Sequence, residues 1–377
     1  MEKIKFNNSC KSTHFTDYIE LLQSDYDLLR QKHFSNHCLK ALSSTYSSSN
    51  LFLTHSATGA LEMIADLIEI KPGDEIILPS FTFVATANAF VSRGAIPVFV
   101  DIDPVTLTIN LQTIQVAVTP KTKAVVLVHY FGHSMNTVAI KTFCSENNIF
   151  FIEDAAMGYG CFEDEWPLGS VGDFAVVSFD VTKHISAIQG GLLLVNNKHF
   201  SKRASYLYHN GTNRDDFEDG NVSYYEWVDI GSKYQMNELN AAFLWSQLQV
   251  QDKLFAQRKK CSQHYYEALL PLQEAGYLQL MDNRFVSNNI HGFYIVLTTQ
   301  AQQEALREYL FSNGIEAFFH YIPLHLSKKV KELTGAIHLP ITEKIAGTLL
   351  RLPFHDLITE KEIKLIATFI QSFFNEK

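Results

Sequence analysis

Lys183 lies in the stretch Ser178-Phe-Asp-Val-Thr-Lys183-His-Ile-Ser-Ala-Ile-Gln-Gly190-Gly191, a loop set between two apolar runs, Phe174–Ser178 and Leu192–Val195. A lysine among apolar neighbours loses the hydration of its ammonium. Its pKa then falls from about 10.4, exposing the lone pair that condenses with an aldehyde. That is Schiff-base chemistry. A solvated loop lysine is the commoner fate of this residue type, so the assignment rests on what else the chain supplies.

Three other features supply it. Ile149-Phe-Phe-Ile-Glu-Asp154 ends in a carboxylate just before Ala155-Ala156. There a carboxylate either keeps a pyridine-type ring nitrogen protonated or caps the next helix. His55-Ser56-Ala57-Thr58-Gly59 is a turn at the head of a helical run. Free N–H groups and the helix dipole there attract an anion such as phosphate, and an ordinary N-cap uses the same residues. Phe83 either stacks on a flat ring or belongs to the core. Taken together, an anion cradle, a stacking face, a ring-nitrogen partner and an amine are what pyridoxal 5′-phosphate requires.

The elements around these residues alternate. Leu51–Thr54 reads as a strand, Ala60–Ile68 as a helix, Glu75–Leu78 as a strand, and Phe81–Asn88 as the opening of another helix. Ala95–Asp101, Ala124–Val128 and Ile149–Asp154 are further apolar runs separated by helix-length segments. This pattern predicts a parallel sheet with crossover helices, with ligands at the carboxyl ends of the strands. The Gly190-Gly191 pair predicts close passage of backbone where a side chain would intrude. Tyr18, Leu21, Leu22, Tyr26 and Leu29 have the spacing of an amphipathic helix within residues 14–43.

Composition narrows the function classes. A chain of 377 residues exceeds the size at which a single core stops growing, about 250–300 residues, and predicts a large and a smaller domain. A net charge of −9 provides no basic face for nucleic acid. Cys10, Cys38, Cys144, Cys161 and Cys261 are odd in number and contain no C-x-x-C pair, which argues against a disulfide framework or a zinc site; no metal is expected. The first residues contain no apolar signal core, and no later segment reaches about 18 uninterrupted apolar residues. The expectation is a cytoplasmic protein without a membrane segment.

Pro72-Gly-Asp-Glu, Pro79-Ser-Phe-Thr-Phe-Val-Ala-Thr, Glu153-Asp-Ala-Ala156, Ser178-Phe-Asp-Val-Thr-Lys183, Gly190-Gly191, Met236-Asn-Glu-Leu-Asn-Ala-Ala242 and Leu352-Pro353 occur in this order. They resemble the DegT/StrS-type nucleotide-sugar aminotransferases over about Leu51 to Arg351. Within that family, Gly211–Phe217, Trp227–Ser232, Ala242–Leu248 and Phe319–His325 are most similar to 4-aminotransferases of dTDP-4-dehydro-6-deoxy-D-glucose. The resemblance implies an α/β chain of the pyridoxal-phosphate-dependent aspartate-aminotransferase (type I) fold. Residues 1–250 would form a large mixed-sheet domain and residues 251–377 a smaller C-terminal α+β domain.

The same resemblance implies roles. Ala57, Thr58 and Ser178 would hold the cofactor phosphate. Phe83 and Ala156 would face the two sides of the ring, Asp154 would pair with its nitrogen, and Lys183 would carry the cofactor as a Schiff base. Arg214, His320 and Tyr321 would meet substrate, although for His320 a histidine satisfied within a strand is an equal alternative. Segment 211–235 would enter a neighbouring subunit's site, giving a homodimer, with Lys233 where the family commonly has an asparagine that contacts the phosphate across the dimer. Met157, His184 and Gln189 also depart from the family's wording, and Met157 cannot donate a strong hydrogen bond to the ring hydroxyl. The implied reaction is ping-pong transfer of an amino group from L-glutamate to a dTDP-linked 4-keto-6-deoxy sugar. Amination of a 3-keto sugar and a non-catalytic cofactor-binding regulator are the alternatives.

Overall fold

The computed structural model describes residues 3–8, 14–47, 49–286, 288 and 290–375; Cys10 lies outside them. The strands, in chain order, are β1 (Asn50–Thr54), β2 (Glu75–Pro79), β3 (Ile96–Val100), β4 (Thr122–Val128), β5 (Phe150–Asp154), β6 (Phe162–Glu163), β7 (Trp166–Pro167), β8 (Phe174–Ser178) and β9 (Gly191–Val195), followed by β10 (Leu278–Leu280), β11 (Phe293–Leu297) and β12 (Leu349–Leu352).

Seven of them form one sheet in the order β1-β9-β8-β5-β4-β2-β3. β3, β2, β4, β5 and β8 pair in parallel, and β9 runs antiparallel to both β8 and β1. Every parallel strand, and β1 with them, therefore ends at the same edge. The strands are short apolar runs because both faces are covered, and their side chains alternate between the two faces of the sheet. Ala124, Val126, Phe174 and Val176 enter the core beneath helices Ala57–Leu67 and Val84–Val91. Val125 and Leu127 turn to the core beneath helices Leu111–Ala117 and Thr137–Glu146, and Ala175 and Val177 to the core beneath helix Glu238–Leu248.

Two expected helices begin elsewhere. The first starts at Ala57, three residues early, because the Ser56 hydroxyl accepts the Gly59 N–H at 3.0 Å and caps it. The second starts at Val84, after Phe83 takes an extended N-cap conformation. Residues 14–43 divide into helices Phe15–Ser24, Tyr26–Arg30 and His33–Ser43, the first break falling where extended Asp25 accepts the Asp27 N–H at 2.9 Å.

Beyond Gln251 the chain builds an antiparallel sheet, β10-β11-β12, covered by helices Gln251–Glu274, Gln300–Ser312 and Glu360–Asn375. The last of these buries Ile363, Ile366, Ala367, Ile370, Phe373 and Phe374, one stripe at helical spacing. Its core is not confined to this layer. Phe81, Tyr130, Phe131 and Met157 from the larger layer, and Ile4 from the N-terminal residues, belong to it. Cys38, Cys144, Cys161 and Cys261 are buried free thiols. Among the described residues, no group of three or more histidine, cysteine or acidic side chains is arranged to hold a metal, and no helix is long and apolar enough to cross a membrane.

Candidate active site

The shared strand edge opens into a cavity of about 900 Å³ that is also lined by His320, Tyr321, Arg351 and Phe354. Asp154 projects into it from the last position of β5. Its Oδ2 accepts the Thr86 hydroxyl at 2.7 Å and its Oδ1 the Ala156 N–H at 3.1 Å. Thr86 is held in turn by Thr82, which precedes the helix, hydroxyl to hydroxyl at 3.0 Å. Beneath Asp154, the buried Glu153 accepts His129 Nε2 at 2.7 Å and the N–H groups of Gly169, Val171 and Gly172 at 2.6–3.0 Å. Burial pushes the Glu153 carboxyl up, but these donors outweigh it and hold it below the usual carboxylate range.

Lys183 stands in the β8–β9 loop, its N–H bonded to the Asp180 carbonyl at 2.9 Å. Part of its side chain faces the cavity, and its ammonium has no hydrogen bond or ion pair among the described residues. Desolvation pulls its pKa down to about 8 against the opposing carboxylates of Asp154 and Asp180. The loop can sit there because of Gly190 and Gly191. A Cβ at Gly191 would lie within 2.7 Å of the Ser56 carbonyl oxygen and would overlap the Ala57 nitrogen; one at Gly190 would lie 2.9 Å from Ala187 Cβ.

At this contact helix Ala57–Leu67 begins. The Ala57 and Thr58 N–H groups have no partner among the described residues, and Ser178 lies at the end of β8 on the same cavity. Phe83 is 59% exposed at the N-cap of helix Val84–Val91, and Ala156 and Met157 form part of the wall after β5. His320 bonds the Tyr130 hydroxyl through Nδ1 at 3.2 Å; burial, with Arg351 and Lys183 nearby, drives its pKa down to about 2, so it is neutral. Tyr321 follows it into the cavity.

All the expected site residues line this one cavity except Arg214 and Lys233. Arg214 lies on the short exposed helix Arg214–Glu218, bonded to Glu218 at 2.6 Å, and exposed Lys233 pairs by its backbone with His209. Both belong to the outer segment 211–235, which lies outside this chain's own cavity.

Arg351 is a cavity residue that the sequence did not single out. It stands in β12 with its guanidinium facing the cavity, its Nε buried without a partner, and no hydrogen bond or ion pair to the group among the described residues. Burial draws its pKa down, opposed by Tyr130 and Tyr321. An uncompensated buried guanidinium is costly and marks a place for an anion. The available signal was a lone cation in the apolar run Leu349-Leu-Arg351-Leu352.

These residues fit pyridoxal 5′-phosphate on the structure's own terms. Two unpartnered N–H groups stand where the phosphate would bind, beside a glycine that no Cβ could replace. A carboxylate braced by a hydroxyl stands at the end of β5, and an amine of lowered pKa shares the cavity.

Known proteins agree. A curated relative from Saccharopolyspora spinosa, dTDP-4-dehydro-2,3,6-trideoxy-D-glucose 4-aminotransferase, is 31% identical over 322 residues, spanning 84% of this chain and 82% of the relative. Among solved structures, Helicobacter pylori PseC, an aminotransferase involved in the biosynthesis of pseudoaminic acid, matches with a TM-score of 0.89 at 21% identity over 100% of both chains. Bacillus subtilis NtdA, solved with bound cofactor PMP, matches with a TM-score of 0.85 at 24% identity, covering 99% of this chain and 86% of its own. The model of the DegT/DnrJ/EryC1/StrS aminotransferase family matches residues 37–371. With that match across nearly the whole chain and the amine, carboxylate and anion cradle gathered at one strand edge, this protein belongs to the DegT/DnrJ/EryC1/StrS aminotransferases and is a pyridoxal-phosphate-dependent enzyme of the type I fold.

Proposed function

We propose that the protein transfers the amino group of L-glutamate to C4 of a dTDP-linked 4-keto-6-deoxy sugar, working in the cytoplasm as a homodimer. The observation that carries the donor half is Arg351: its uncompensated guanidinium shares a cavity with Lys183 and Asp154 and suits the carboxylate of an amino acid. The acceptor half is supported by the 31% identity to a 4-aminotransferase of a related dTDP-sugar.

Pyridoxal phosphate, when bound, supplies the aldehyde that carries nitrogen from donor to acceptor and a ring that stores the electron pair left when the donor's α-proton departs. The chain does the rest. Ala57 and Thr58 N–H groups with Ser178 would anchor the phosphate, Phe83 and Ala156 would bound the ring, and Asp154, oriented by Thr86, would keep the ring nitrogen protonated. Lys183, neutral for a substantial fraction of the time near pH 8, would take the donor's α-proton on Nζ and hold it for return. Glutamate leaves as 2-oxoglutarate, and the sugar carbonyl becomes an amine by the reverse sequence, with no net oxidation. Neutral His320, which lines the cavity, would offer a ring nitrogen to the sugar.

The dimer is supported by exposed apolar side chains in segment 211–235, with Trp227 75% and Ile230 80% exposed, and by the position of Arg214 and Lys233 outside the chain's own cavity. We divide the chain at residue 250, between helices Glu238–Leu248 and Gln251–Glu274. The test is incubation with L-glutamate and dTDP-4-dehydro-6-deoxy-D-glucose, followed by mass and NMR analysis. A 4-amino-4,6-dideoxy product is expected. Formation of 2-oxoglutarate without sugar amination would reject the acceptor, and amination at C3 would move the reaction to another carbon.

A further inference from the structure

The N-terminal residues run beside residues 314–318, a segment that pairs with β12 through the Phe318–Arg351 bridge. The Ile4 N–H donates to Gly314 O at 2.9 Å and the Glu316 N–H to Ile4 O at 3.1 Å. The Phe6 N–H donates to Glu316 Oε2 at 2.8 Å, and the Phe354 N–H returns to Phe6 O at 3.1 Å. These bonds place the Phe6 ring at the cavity wall, 4.7 Å from the guanidinium carbon of Arg351, whose distance to the Phe131 ring is 5.3 Å. Phe318 meets the Phe6 ring edge-on at 4.9 Å and limits its rotation. Glu316 is engaged by Lys3 at 2.6 Å and by the Phe6 N–H.

An aromatic face attracts a cation without accepting its N–H groups. A carboxylate in the same place would hold the guanidinium more strongly but would occupy its donors and cancel its charge. Two rings therefore fix Arg351 while leaving its hydrogen-bonding edge and its charge for a ligand.

We propose that Phe6 is a positioning residue for the amino donor, holding Arg351 through the ring face so that the guanidinium is oriented and unspent when the donor's carboxylate arrives. This rests on the reading of Arg351 as the donor's carboxylate site. The role belongs to the ring, because the backbone bonds of Phe6 survive any replacement of its side chain other than proline.

The test compares Phe6→Leu, Phe6→Trp and Arg351→Gln with the wild type, all loaded with cofactor. It uses calorimetric binding of succinate, an unreactive dicarboxylate, together with KM and kcat for L-glutamate. Phe6→Leu keeps an apolar side chain but loses the ring. It should weaken succinate binding and raise the glutamate KM about tenfold, with kcat and the KM of the keto sugar within twofold of wild type. Phe6→Trp should restore both. If Arg351→Gln weakens succinate but Phe6→Leu does not, the proposal falls and the carboxylate site stands. If Arg351→Gln leaves succinate binding unchanged, the carboxylate site falls and the proposal with it.

Discussion

Replacing Lys183 with methionine should stabilise the cofactor-free protein. Burial lowers the Lys183 pKa from 10.5 to about 8 in the fold, which corresponds to about 3 kcal/mol of cost for holding the charge there. Part of the side chain faces the cavity, so solvent reduces that to about 2 kcal/mol. The sign follows from where each state releases its proton. Below about pH 8 the folded and unfolded chains are both charged, and the fold bears the whole cost. Between about 8 and 10.5 the folded state has lost its proton and the unfolded state has not, so the cost shrinks as pH rises and vanishes above the unfolded value. Lys183→Met should therefore exceed wild type by about 2 kcal/mol at pH 7, with less than about half of that remaining at pH 9.5. Urea unfolding of both cofactor-free proteins at one protomer concentration measures it. A variant no more stable than wild type at pH 7, or a gap that ignores pH, would refute the claim that this amine is held desolvated for nucleophilic use.

Gly191→Ala forces a methyl against the Ala57 nitrogen, where the phosphate would sit; equilibrium dialysis should show cofactor affinity reduced at least about tenfold. Thr86→Val keeps the volume but removes the donor to Asp154. It should lower kcat about tenfold and leave the glutamate KM nearly unchanged, as steady-state kinetics will show. The double variant Trp227→Asp and Ile230→Asp places charge on the exposed apolar face of segment 211–235; sedimentation should report monomers and the activity should fall with the dimer, whereas an unaltered dimer would remove that segment from the interface.

The central layer was legible because its strands are short buried runs whose meaning does not depend on distant partners. Asp154 stood out as a carboxylate ending an apolar run, and Gly190-Gly191 as a point of close backbone passage, although only the fold names Ser56 and Ala57 as what passes there. Helix starts were less legible, because Ser56 and Phe83 decide them through local backbone conformation rather than through apolar spacing. Arg351 was not legible as a site residue. In sequence it is one charge in a strand, and only the fold removes every acceptor from it and brings Phe6 and Phe131 to its guanidinium. Arg214 and Lys233 illustrate the reverse limit, since their proposed use requires a second copy of the chain.

The pairing of residues 3–6 with the region around Glu316 and Phe354 bears on the order in which the molecule is assembled during synthesis. Phe6 and Glu316 are 310 positions apart, so the ribosome releases one side of this cavity wall long before it makes the other. At about 5–20 residues per second, the early segment waits on the order of fifteen seconds to a minute without its partners. The strand edge bearing Asp154 and Lys183 is complete well before then. A nascent chain therefore holds the lysine loop before the wall that helps to bury its amine exists, and closure of the termini brings the desolvation and the donor's site together.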